Sequence, residues 1–189
     1  MLKKIIELDQ YLFLLINKES KNDLFDIIMP FIRQPLFWIP LYLFLLIFVF
    51  INFGTKGWRW FLFAIITVSA TDLVSSRIIK PFFARPRPCL DPDFAVNVRL
   101  LVNYCGTNGS FISSHASNHF GIAMFLFITF RHFAPKTVYL FFIWAAAICL
   151  AQVYVGVHYP TDILGGIIFG TLTGWATGKF YNKKMGLLS

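Results

Sequence analysis

Charge is what this chain lacks. Only 14% of its 189 residues are charged, against 57% hydrophobic and 19% aromatic. A soluble domain carries about 25% charged residues to cover its surface, so a water-exposed globule does not fit. Acidic residues are the scarcest, 9 against 17 basic, which leaves a net charge of +8. A basic excess suits nucleic acid, but so apolar a chain argues against that partner. The cations here flank membrane spans or hold an anion. Cysteine is sparse too: 3 residues and no CxxC pair, which argues against a zinc site through sulfur. There is no H-E-x-x-H pattern. The first apolar stretch contains Glu7 and Asp9 and lacks a small-residue cleavage site, so no cleavable signal peptide is expected.

What the chain has is apolar runs. Residues 3–17 carry Ile5, Ile6, Leu8, Leu12, Phe13, Leu15 and Ile16 at helical spacing, with charges breaking the run early. Residues 22–33 form a second short amphipathic stretch, ended near Pro30 and Pro35. Neither gives a clean run of about 20 apolar residues, so 1–33 is predicted to form interfacial or half-inserted helices. Cleaner spans follow at 36–53, 58–79, 116–133, 138–157 and 163–181. The expected fold class is all-α, a polytopic transmembrane helix bundle of about five or six spans. In the last span Gly166, Gly170, Gly174 and Gly178 recur every four residues, a stripe that lets a neighbouring helix approach closely. Asp72 and Arg77, within the second span, read as a buried structural pair with other spans.

Lys56 and Arg59, then Arg131 and Lys136, then Lys179, Lys183 and Lys184 fall on one side, with no acidic residue beside them. The positive-inside rule places that side in the cytoplasm. The loop 81–114 and the turn 156–161 then face outward. Lys3, Lys4, Lys18, Lys21 and Arg33 run against this orientation unless the N-terminus also spans. Cys89 and Cys105 share the outer loop and can pair in an oxidising compartment. Cys149, inside an apolar run, reads as a small buried residue.

Three segments carry chemistry, each at the end of an apolar run, where a charge or an imidazole is costly unless it has a use. In 80–88, Lys80 and Arg87 bracket Pro81 and Pro86, which stop a simple helix and let the two cations converge. Arg offers phosphate a bidentate fork and Lys a point charge; a basic cluster at lipid headgroups fits the same residues. Ser113, Ser114 and His115 stand where the loop becomes the third span, a helix N-terminus with N–H groups free for an anion. Ordinary serine capping beside a bystander histidine also fits. His158 and Asp162 are four apart, so on a helix they share a face and the carboxylate can fix the imidazole tautomer. A helix-start Asp with an interfacial His is the plainer reading, which Pro160 and Thr161 suit. A metal site from His115, His119, His158 and Asp162 ranks below phosphate binding, because Lys80 and Arg87 would repel a dication.

Taken in order, these segments resemble the type 2 phosphatidic acid phosphatase superfamily. Its pattern is Lys-x6-Arg-Pro, then Pro-Ser-Gly-His, then Ser-Arg-x5-His-x3-Asp. Lys80, Arg87 and Pro88 match the first part. Ser113 and His115 match the second, with Ile112 and Ser114 in place of Pro and Gly. His158 and Asp162 match the third, where Ala151 and Gln152 replace Ser and Arg. The resemblance implies a catalytic set: His158 as nucleophile, His115 as acid to the leaving oxygen, Asp162 orienting His158. It implies a phosphate-binding set of Lys80, Arg87, Ser113 and the backbone N–H of Ser114, with Gln152 standing where an arginine would be. Arg85 or His119 is the candidate to make good that missing charge.

Such enzymes work without a metal or another cofactor. The implied protein is one membrane-embedded domain over 1–189, with 81–114 as an extracytoplasmic active-site loop. It would sit in the cell membrane as a multi-pass enzyme and hydrolyse a lipid phosphate monoester or pyrophosphate through phosphohistidine. Its partners would be a phospholipid or isoprenyl phosphate substrate and membrane lipids, not nucleic acid. Two other readings use the same residues. One is a lipid phosphotransferase; the other is an inactive phospholipid-binding relative, for which Gln152 is the main support. Phosphatidic acid, phosphatidylglycerol phosphate, an isoprenyl pyrophosphate and a lipid A phosphate all fit as substrates.

Overall fold

The computed structural model describes residues 2–186, and every regular element among them is helical. Two short helices come first, α1 (Leu2–Leu14) and α2 (Asp23–Ile32). Asn22 caps α2, its side-chain oxygen accepting from the amides of Leu24 and Phe25. α3 (Ile39–Val74) runs on through a π-helical turn, Ser75–Ile79, into α4 (Lys80–Phe83). α5 (Ser114–Phe130), α6 (Leu140–Tyr154) and α7 (Pro160–Met185) follow.

α3 is two helical arms rather than one rod. Gly54 has φ +49° and ψ −123°, a conformation open to glycine and strained for other residues. Phe50 packs against Trp58 and Phe61 with ring centroids 6.3 and 6.2 Å apart. A straight helix would hold residues 50 and 61 about 16 Å apart. The chain therefore doubles back at Gly54, and arms 39–53 and 55–74 lie where the first two spans are predicted. The stretches Pro35–Phe83 and Thr137–Tyr154 are long and apolar enough to cross a membrane.

The glycine stripe sets the closest helix packing. A β-carbon on Gly170 would stand 2.2 Å from the carbonyl oxygen of Ser117, and one on Gly174 would stand 2.1 Å from that of Gly121. α5 and α7 thus meet backbone to backbone. The other face of α7 carries Leu164, Ile168, Leu172 and Trp175, each more than half exposed. A continuous outward apolar face suits a lipid surround rather than water.

α5 and α7 begin side by side, with the Ser113 amide donating to the Asp162 carbonyl at 3.0 Å. The loop 84–113 and the turn 155–159 gather at this end. A disulfide between Cys89 and Cys105, Cα atoms 6.4 Å apart, closes part of that loop, while Cys149 is free and buried. One expectation fails. Asp72 and Arg77 are both exposed rather than a buried pair, and Asp72 accepts instead from the Asn118 amide at 3.0 Å. Thr71 and Ser75 take the inward positions of that helix and turn the two charges outward.

Gly174→Val should therefore lose about 3 kcal/mol by overpacking against the α5 backbone, read as an early melting transition in detergent. Leu172→Ala, on the outward face, should stay within about 0.5 kcal/mol.

Candidate active site

The site grows from the first turn of α7. Tyr159 precedes the helix in extended backbone and Pro160 starts it, a position that suits proline's fixed φ. Asp162, half a turn further on, is completely buried. A buried carboxylate needs partners. Its Oδ2 accepts from the Tyr159 amide at 2.8 Å and from the Ser110 hydroxyl, and its Oδ1 accepts from Arg85 at 2.9 Å. His158 Nδ1 lies 3.4 Å from Oδ2 and 3.5 Å from Ser110 Oγ. The sequence spacing predicts a shared helix face for His158 and Asp162. The structure instead leaves His158 in the turn before α7, and Asp162 reaches back to it.

With Nδ1 protonated toward the carboxylate, the imidazole lone pair sits on Nε2, which faces Arg87 Nη1 at 3.3 Å. Burial lowers the pKa of His158 to about 4; Asp162 opposes the shift and Arg87 adds to it. The ring is thus neutral, with its Nε2 lone pair in place, throughout the neutral pH range.

Arg87 is aimed by backbone. Nε donates to the Asn108 carbonyl at 3.3 Å and Nη1 to the Val157 carbonyl at 3.2 Å. Gly106 passes so near that a β-carbon there would stand 3.1 Å from Nη2. The disulfide helps set this approach, since Cys89 follows Arg87 by two residues and Cys105 precedes Gly106.

Lys80 is buried and lines a cleft of ≈ 640 Å³ with Ser76, Thr107, Asn108 and Gly109. Ser113 is the N-cap of α5, its Oγ accepting from the Ala116 amide at 3.3 Å. Ser114 Oγ accepts from Ser75 Oγ at 2.9 Å. Both oxygens accept here, so each hydroxyl keeps its O–H to donate, and the first-turn amides of this helix start point the same way. His115 is half-buried in that turn, its ring stacked 6.2 Å from His119. His119 turns away, Nδ1 bonding the His115 carbonyl at 2.8 Å and the ring packing 4.9 Å from Trp144. Among the described residues no three His, Cys, Asp or Glu side chains are placed to hold a metal ion. The four-residue metal set does not assemble, because His119 faces a helix carbonyl and an indole.

Gln152 is completely buried, its Oε1 accepting from Arg33 Nε at 3.3 Å while its Nε2 has no partner. Neither candidate for the missing charge is free to supply it. Arg85 bonds Asp9 Oδ2 at 2.7 Å and Asp162 Oδ1 at 2.9 Å, and lies 4.2 Å over the Tyr159 ring. Two carboxylates neutralise it. Asp9, on α1, also accepts from the Thr161 amide at 2.9 Å. Sequence reasoning missed Asp9, Ser110 and Tyr159, which hold the Asp162 and Arg85 pair in place. For Asp9 a signal existed, a carboxylate inside an apolar helix; Ser110, in a polar loop, gave none.

The chain is 34% identical over 180 residues to the lipid A 4'-phosphatase of Porphyromonas gingivalis, covering 94% of this chain and 74% of that protein. It is 29% identical over 180 residues to the lipid A 4'-phosphatase of Bacteroides thetaiotaomicron, covering 93% and 77%. The fold matches the crystal structure of a transmembrane PAP2-type phosphatidylglycerolphosphate phosphatase from Bacillus subtilis with a TM-score of 0.73 at 24% identity, covering 96% of this chain and 88% of that one. Fold and relatives together define the class, a helical phosphatase. The chain belongs to the PAP2 superfamily, whose family model matches residues 57–185.

Asp9→Ala should destabilise the protein by about 2 kcal/mol. This is less than the roughly 3–5 kcal/mol of a fully buried pair, because Asp162 still neutralises the partly exposed Arg85. Denaturation of the variant checks it. The acid limb of kcat/KM, which reports groups of the free enzyme, should carry no His158 step near 6.5. His158 protonates only as pH falls toward about 4.

Proposed function

We propose that this protein hydrolyses a lipid phosphate monoester or pyrophosphate through a phosphohistidine formed on His158. The observation that carries this reading is the environment of one imidazole. Nδ1 is backed by the buried Asp162, and Nε2 faces the Arg87 guanidinium at 3.3 Å. A neutral imidazole oriented by a carboxylate is an activated nucleophile, and a guanidinium beside its attacking atom holds the oxygens of the phosphoryl group it attacks.

In this mechanism Nε2 bonds to phosphorus as the bond from phosphorus to the lipid oxygen breaks. Burial and the neighbouring cations lower the pKa of His115 in the free site; it takes up a proton as the anionic phosphoryl group binds beside it and gives that proton to the leaving oxygen. A water then attacks phosphorus, returns a proton to His115, and releases phosphate as the P–N bond breaks. Asp162 stabilises the positive charge that His158 carries between the two steps. Lys80, Arg87 and the first-turn amides of α5 neutralise the phosphoryl oxygens. Catalysis is favoured over inactive binding by the complete histidine–carboxylate pair, and hydrolysis over transfer by relatives named as phosphatases.

An apolar cavity of ≈ 440 Å³, lined among others by Tyr42, Val68, Ile122 and Trp144, lies beside His119 and suits a lipid chain. The relatives that cover most of the chain make a phosphate on a lipid A-type glycolipid the first substrate to test. We also read the protein as a multi-pass membrane enzyme of about five or six spans with the site outside. The hairpin at Lys56, the connection at Arg131 and Lys136, and the end of α7 at Lys183 and Lys184 are opposite the site end. The lysines of α1 run against that orientation. The Cys89–Cys105 bond at the site end supports an oxidising outer compartment and outweighs them.

Purified protein should release phosphate from lipid A, and His158→Ala should reduce release by at least about 10³-fold. Wild type should form an acid-labile phosphoenzyme and keep its activity in excess EDTA, since fixed cations neutralise the phosphate. Full turnover by the alanine variant would sink the mechanism, and activity lost in chelator and restored by zinc would sink the metal-independent reading.

A further inference from the structure

The cations at the end of α2 and in the segment 80–99 divide into two kinds. Arg85 has two carboxylate partners and Arg99 has one. Arg33, Lys80 and Arg87 have none among the described residues. Lys80 and Arg87 fall in the sequence motif. Arg33 does not: it lies on the C-terminal end of α2, ahead of residue 57 where the family match begins.

Arg33 is not a stray surface residue. α2 is fixed against α6 by Met29, which packs with Ala151, Tyr154, Val155 and Val157. Asp26 of α2 accepts from the Tyr154 hydroxyl at 2.5 Å and from Arg99 at 2.6 Å. Trp38 then pins the end of the helix, its indole N–H donating to the Ile32 carbonyl at 2.7 Å. From this frame Arg33 Nε reaches Gln152 Oε1 at 3.3 Å. Burial, with the charge of Arg87 nearby, lowers the Arg33 pKa, yet a guanidinium remains charged at neutral pH. A cation brought into a partly buried site without a counterion is costly unless an anion completes it. Gln152 adds a second sign of the same kind: its Nε2 is a buried donor with no acceptor. The backbone repeats the convergence, for the Val157 amide donates to the Gln152 carbonyl at 3.2 Å and Arg87 donates to the Val157 carbonyl at 3.2 Å.

We infer that Arg33 is a third phosphate-binding cation of the site, delivered by the N-terminal helix α2 and steadied by Gln152. This rests on the phosphatase reading above and adds to it. The charge absent at position 152 comes from another helix, and Gln152 is the bracket that accepts from Arg33 Nε and leaves its Nη groups for substrate oxygens. Gln152→Arg alone would then set one guanidinium against another and weaken the site.

The test uses the full chain in detergent, with inorganic phosphate and orthovanadate as probes alongside turnover of lipid A. Arg33→Gln should raise both inhibition constants by about 10- to 100-fold and lower kcat/KM. Arg33→Lys should lie between it and wild type. The exchange Arg33→Gln with Gln152→Arg should recover anion affinity, because it returns one guanidinium to the same place. If wild type turns over lipid A and Arg33→Gln leaves KM and both inhibition constants within about twofold, the inference falls while the phosphatase reading stands. If wild type releases no phosphate but anion affinity still depends on Arg33, the inference stands and hydrolysis falls. Should Arg33→Gln melt early, the exchange variant decides. Recovered melting without recovered anion affinity assigns Arg33 to packing and overturns the inference.

Discussion

The buried carboxylate of Asp162 ties together parts of the chain that share no sequence proximity. It takes the amide of Tyr159 from its own helix start, the hydroxyl of Ser110 from the long loop, and the guanidinium of Arg85 from the segment after α4. Arg85 in turn carries the link to Asp9 on α1. A fully buried charge is tolerated only when its hydrogen bonds are made. Satisfying Asp162 therefore fixes where three separate segments must lie, and His158 is held in the middle of them. The geometry of the imidazole is a by-product of neutralising its neighbour.

The glycines of α7 make the same site possible from the other direction. Side chains at Gly166, Gly170 or Gly174 would collide with the backbone of α5. Without them the two helices begin in register, and the Ser113 amide can bond the Asp162 carbonyl. The two helix starts then lie side by side, but only that of α5 keeps first-turn amides free; at α7 Pro160 has no N–H and the Thr161 amide bonds Asp9. Close packing far down the helices thus decides the electrostatics at their starts.

The N-terminal helices belong to the site rather than to the membrane surface alone. α1 contributes Asp9, which holds Arg85 and the first turn of α7. α2 contributes Arg33 beside Gln152. The polar anchors Asn17 and Asp26 dock both helices on the 98–101 segment and on Tyr154. Residues ahead of the family match thus supply the interactions that a reading confined to the motifs would assign elsewhere.

Apolar runs and their breaks were legible in the sequence, because helices must bury or expose apolar faces at a fixed period. So were the spacing of Lys80 to Arg87 and of His158 to Asp162, the glycine stripe, and the pair Cys89 and Cys105. These are local or periodic signals, and the residues carry them wherever they stand. Contacts between distant segments were not legible. Asp9 with Arg85, Ser110 with Asp162, and Arg33 with Gln152 join positions up to 119 residues apart, and no local pattern encodes such a meeting. The sequence by itself determined a helical chain with the ordered motif set of the PAP2 superfamily. Only the tertiary structure decided which cations keep a carboxylate and which are left without one, because neutralisation depends on distance in space and not along the chain.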